Sequence, residues 1–233
     1  MAKKPRTPAP PRPVQAPRRR DAPAASRPKL GGGGGLPWAW IAGGLAVLAV
    51  AGVLIGVFAF RGSEKPFFVD FSQVPNLQTG PPPWNNGVAH LQDRLKAVNL
   101  DPLAAEALAF HIHQHLDLYV NGKHVTLPAG IGIYPGAFIT QVHTHDTRGV
   151  IHVESAQQKP YTLGQLFGQW GVKLSSTCVG SYCGPGKVHW WVNGKAQQGD
   201  PSHLVLEAHQ EIAIAYGTPP KTIPPSFEFE PGE

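Results

Sequence analysis

The sequence predicts an α+β fold: a mainly β exterior domain with few helices, carried behind one transmembrane helix and a disordered amino-terminal tail. Three observations lead there. In "HIHQHLDLYV", His111 to Val120, polar and apolar residues alternate with the two-residue period of a strand. In "GVAHLQDRLKAV" and "YTLGQLFGQWG" the apolar residues recur at three- and four-residue steps, which is one face of a helix. Between Gly31 and Phe60 there is no charged residue, and about 20 apolar residues suffice to cross a bilayer core.

The amino-terminal elements follow from charge. Residues 1–30 hold nine Lys or Arg against the single acid Asp21, with eight prolines and little that folding could bury. Such a composition cannot offset the entropy of ordering, so residues 1–35 are expected to form a disordered, basic, cytoplasmic tail. Because the whole chain carries +5, everything after the tail is net acidic, and no nucleic-acid partner is expected for the folded part. Residues 36–60 are the expected membrane span, with Trp38 and Trp40 at the interface and the lipid bilayer as partner. No small-x-small cleavage site follows the apolar run, so it reads as an uncleaved signal anchor of a single-pass cell-membrane protein. Retention of the basic flank inside places residues 61–233 outside the cytoplasm. Gly52 and Gly56 have GxxxG spacing, which offers a homodimer face.

The exterior elements follow in order. Residues 61–85 lack a sustained period and contain the Pro81–Pro83 run, so they read as a linker; the α+β domain is expected over 86–217. Val88, Leu91, Leu95 and Val98 define a first helix, after which Asp101 is expected to cap a second short one with Pro102 in its first turn. The strand 111–120 ends at Asn121-Gly122, a dipeptide suited to a tight hairpin. A second hairpin is expected around Asp146–Gly149, setting His143 opposite His152 and His145 opposite Val150. Thr162 should cap a helix carrying Leu163, Leu166, Phe167 and Trp170. Asn193-Gly194 marks another turn, Ile212, Ile214 and Tyr216 alternate in a last strand, and 218–233 reads as an extended proline-rich tail.

The order hairpin, helix, strand, strand, closing on "EIAIAYG", resembles the β-grasp fold of ubiquitin-like and small sulfur-carrier proteins over residues 111–217, with the histidine hairpin inserted. The Gly-Gly tail of sulfur carriers is absent after Tyr216, so the resemblance implies a fold and no sulfur transfer. "HIHQHLDLYVNG", "HTHDTRGVIHVES" and "YTLGQ" are also similar to a group of uncharacterised single-pass membrane-anchored microbial proteins, a resemblance that implies no mechanism.

All eleven histidines lie beyond Arg61. His111, His113 and His115 share one strand face with Asp117 and Tyr119, while His143, His145, His152 and Glu154 sit on the second hairpin: seven candidate ligands within 44 residues. Imidazole is the commonest metal ligand and suits zinc, copper and nickel, so a transition metal, zinc or copper foremost, is the expected cofactor. One strand cannot encircle an ion, so closure needs the two polar faces to meet. Asp117 and Glu154 are also suited to orienting imidazoles. Familiar metal patterns are not met. Cupins follow His-x-His closely with Glu, whereas Glu154 comes late; metallo-β-lactamases carry a further His after the Asp, missing after Asp146. The only methionine is Met1, which excludes thioether ligation outside the membrane. Cys178 and Cys183 lie in the oxidising compartment and are expected to form a disulfide, with a Cys/His copper or redox site as the alternative. No P-loop, Gly-x-Ser-x-Gly or dinucleotide fingerprint occurs. The expected function is therefore extracytoplasmic binding or sensing of a transition metal rather than catalysis. The alternatives are a metal-free module that docks an envelope protein partner, and a small metal-dependent enzyme with an open coordination position.

Overall fold

A single long strand organises the domain. The computed structural model describes residues 64–107 and 109–233. The expected tail 1–35, the span 36–60 and the Gly52/Gly56 face lie outside these residues, and among the described residues no helix is long and apolar enough to cross a membrane. Strand β1 (Phe110–Val120) turns at Asn121-Gly122, both in the left-handed region with φ 50° and 78°, into β2 (Lys123–Val125). A two-stranded sheet of β3 (Ile133–Tyr134) and β4 (Phe138–Ile139) follows, then β5 (Val142–His143) and β6 (Val150–Ser155). After the α-helix at Leu163–Trp170 come β7 (Cys178–Val179), β8 (Tyr182–Cys183), β9 (Val188–Val192), β10 (Lys195–Ala196) and β11 (Glu211–Tyr216). The main sheet has seven strands in the order β10-β9-β11-β1-β6-β5, with β2 also paired to β1. One edge of β1 takes β6 along Phe110–His115 and β2 along Leu118–Val120; the other takes β11, in parallel, from His115 onward.

Alternation then sorts the faces. Leu116, Leu118 and Val120 of β1 join Ile212 and Ile214 of β11 in one core. That core is closed by the helices α1 (Leu91–Val98) and α2 (Leu163–Trp170), the latter supplying Leu163, Leu166, Phe167 and Trp170. The sequence places α2 correctly because its start is chemically marked: Thr162 and Gln165 form a reciprocal capping box. Its glycines are there for contact. A Cβ on Gly168 would come within 2.5 Å of Val98 Cγ1, so the two helices cross where no side chain intervenes. The odd residues of β1, including the three histidines, occupy the opposite sheet face.

Four sequence expectations need correction. The linker is part of the domain: residues 64–85 form no helix or strand, yet Val69, Phe71, Val74 and Trp84 are buried in the core. Single apolar anchors without a period are invisible to periodicity. Arg94 holds this segment down. Buried on α1, it donates to the carbonyls of Pro75, Asn76, Gly87 and Gln169, tying the segment to the end of α2. Asp101 caps no helix; its N–H donates to Gln141 Oε1, and the chain is drawn instead into a bridge between Leu103 and Ile139. His143 does face His152, but β5 ends there, so Val150 pairs with His115 and not with His145. The segment 218–233 is irregular but not free. Phe227 stacks on His115 at 3.9 Å between ring centroids, and Arg148 pairs with Glu230 and Glu233.

Candidate metal centre

Three neighbouring strands turn their polar residues to one sheet face. Cross-strand register sets His111 beside Glu154, His113 beside His152, and His143 beside His152. β6 is thus the middle strand, carrying His152 and Glu154; β1 flanks it with His111 and His113, and β5 with His143, with His145 two residues beyond. The donor atoms converge. His143 Nε2 lies 3.2 Å from His145 Nε2 and 3.7 Å from Glu154 Oε1, and His152 Nδ1 lies 3.7 Å from the same oxygen. His113 Nε2 is 3.0 Å from His152 Nδ1, and His111 Nε2 is 3.0 Å from Glu154 Oε1. Tetrahedral zinc with bonds of about 2.0–2.1 Å holds its ligand atoms about 3.3–3.4 Å apart. The spacings in the cluster straddle that value.

Proton positions favour ligation. His143 is fully buried, and its Nδ1 sits 2.9 Å from the Thr140 carbonyl oxygen, which can only accept; the proton is therefore on Nδ1 and the Nε2 lone pair faces the cluster. Burial, reinforced by neighbouring imidazoles, pushes the pKa values of His143 and His152 down to about 3. For His113 the same causes lower it to about 4. All three are neutral near pH 7, the form that binds metal. Glu154 is only 1% exposed, and burial, with Glu106 a lesser cause, raises its pKa to about 7. Its Oε2 is buried without a hydrogen-bond partner, and among the described residues no Lys or Arg pairs with it. An unsatisfied buried carboxylate oxygen is costly, and a cation would satisfy it.

The sequence-predicted residues fall into groups. His143, His145, His152 and Glu154 bring ligand atoms within 4.8 Å of one another, and so do His111, His113 and His152. His115 belongs to neither. Its Nδ1 lies 2.7 Å from Glu211 Oε2 and its Nε2 2.8 Å from the Arg148 carbonyl oxygen, beneath the Phe227 ring. Burial opposes charge on His115, but the hydrogen bond and charge of Glu211 outweigh it and raise its pKa. His115 groups instead with Asp117 and Glu211, a third set whose ligand atoms lie within 4.8 Å of one another, and does not join the cluster. Cys178 and Cys183 are bonded to each other across β7 and β8, so neither offers a thiolate and the Cys/His site has no donor.

Sequence reasoning missed three contributors. Glu211 reaches His115 only through the parallel β1/β11 register, Thr140 acts through its backbone, and Glu106, 3.3 Å from His145 Nε2, comes from an irregular segment. None carries a local signal. His209 neighbours the cluster through the main chain: its backbone N–H donates to the His113 carbonyl at 2.7 Å. Comparison with family models, with curated proteins and with solved structures gives no match to this chain.

Proposed function

We propose that this chain is a membrane-anchored, extracytoplasmic protein whose domain binds a transition-metal ion, zinc or copper, at His143, His145, His152 and Glu154, for binding or sensing rather than catalysis. The observation that carries the reading is the His143 side chain. Its tautomer is locked by the Thr140 carbonyl so that a lone pair points at two further imidazoles and a buried carboxylate with an unpartnered oxygen. An imidazole-rich donor set suits zinc or copper better than magnesium or calcium, which prefer all-oxygen shells. Binding is favoured over catalysis because three imidazoles and a carboxylate fill the four positions of a tetrahedral ion and leave none open for a substrate. The uncharged run 36–60 and its basic flank support the anchor, and a disulfide fits an oxidising compartment. A β-grasp assignment is supported by the strand order β2-β1-β11-β9-β10, with β1 and β11 parallel and β5–β6 as the inserted hairpin. It carries no function by itself.

The test uses the full chain in detergent, stripped with chelator, reloaded with Zn²⁺ or Cu²⁺ and desalted. Elemental analysis should find bound metal, and a hundredfold excess over Kd should add about 2.7 kcal/mol of stability. His143→Ala should lose the ion, whereas His90→Ala, whose exposed ring pairs with Asp93, should keep it. A chain that takes up neither metal and shows no melting shift would refute metal binding and leave the interaction module. Protease added to intact cells should leave residues 1–35 protected; their loss would reverse the topology.

A further inference from the structure

We infer that the cluster holds two ions side by side across β6, bridged by Glu154; this rests on the metal-binding reading above. Neighbouring strands are about 4.8 Å apart, so β1 and β5, with β6 between them, stand roughly 10 Å apart. Two ligand atoms of one zinc ion can be no further apart than two bond lengths, about 4.2 Å. The donors gather as two sets, the ligand atoms of each within 4.8 Å of one another. His111 and His113 group with His152 between β1 and β6, whereas His143 and His145 group with the β6 residues from the other side. Ring contacts show the same division: His111 to His113 at 4.5 Å, His143 to His145 at 4.8 Å, and His152 touching both sets at 4.4 Å from His113 and 4.5 Å from His145.

Glu154 stands between the sets, and one of its oxygens faces both while the other is free to bind. Its Oε1 is 3.0 Å from His111 and 3.7 Å from His143, while its buried Oε2 has no partner. Paired ions in a shared site stand about 3.5–4 Å apart, less than one strand spacing of about 4.8 Å, so a carboxylate on the middle strand reaches both. The ion between β1 and β6 would take His111, His113 and His152, since His152 Nδ1 is 3.0 Å from His113 Nε2. The ion between β6 and β5 would take His143 and His145, with Glu106, 3.3 Å from His145 Nε2, as a further oxygen donor.

Metal counting on the full chain in detergent tests this apart from the metal-binding reading itself. After saturation with ZnCl₂ and desalting, the unmodified chain should carry two zinc ions, and the double variant His111→Ala/His113→Ala should carry one. With Cu²⁺, which needs no variant and so no assumption about folding, two ions this close couple magnetically. The integrated electron-spin signal should fall well below the copper content. One ion per unmodified chain, or a copper signal that equals a content of two, overturns the paired centre and leaves the single-ion site standing; no ion at all overturns both.

Discussion

Glu154→Gln gives the sharpest measurement, because burial, with Glu106 a lesser cause, sets its expected pH profile. The side chain is 1% exposed and burial raises its pKa to about 7. As pH falls through 7 the carboxylate takes up a proton and ceases to be an anionic ligand, so the unmodified chain should lose affinity by a factor of about 1 + 10^(7 − pH). At pH 8 that factor is close to one; at pH 5 it is about 100. Glutamine neither titrates nor carries charge, so the variant binds more weakly at pH 8 but escapes this loss. Its disadvantage relative to the unmodified chain should therefore shrink about a hundredfold between pH 8 and pH 5. His143, His152 and His113, held at about 3 to 4, stay neutral across that window and do not blur the comparison. The assay is Zn²⁺ competition against a chromophoric chelator of known pH dependence, on both proteins side by side. Were Glu154 an ordinary carboxyl with pKa near 4.5, the ratio would change by only about 1.3-fold. A ratio that flat would refute the claim that the carboxyl is desolvated into proton competition with the metal.

Arg94→Met should cost about 3–5 kcal/mol in urea unfolding, because it removes charge-assisted hydrogen bonds, one of them to Pro75, and strands the buried carbonyls of Gly87 and Gln169. A loss below about 1 kcal/mol would mean those carbonyls find water instead. Alkylation of the unreduced chain should modify neither Cys178 nor Cys183, and reductant should expose both; labelling of both without reductant would contradict the bond between them.

Much of this protein is legible in one dimension because its signals are local. Alternation alone puts His111 and His113 on one face of β1, Asn121-Gly122 and Asn193-Gly194 announce their turns through positive φ, and Thr162 with Gln165 announces α2. Each depends on backbone preferences or on neighbours a few residues away, which any reader of the chain can see. Assembly of the centre is another matter. Only pairing of β1 with β6 across some 40 residues brings His113 to His152, and only parallel pairing with β11 gives His115 a carboxylate and withdraws it from the cluster. The chain between 64 and 85 and the segment beyond 217 likewise gain their places through isolated anchors, Trp84 in the core and Phe227 over His115, that have no period to betray them. Residue types and strand faces were written in the sequence; register and burial, which choose among seven candidate ligands and set their protons, arise from contacts between distant segments and so existed only once the chain was folded.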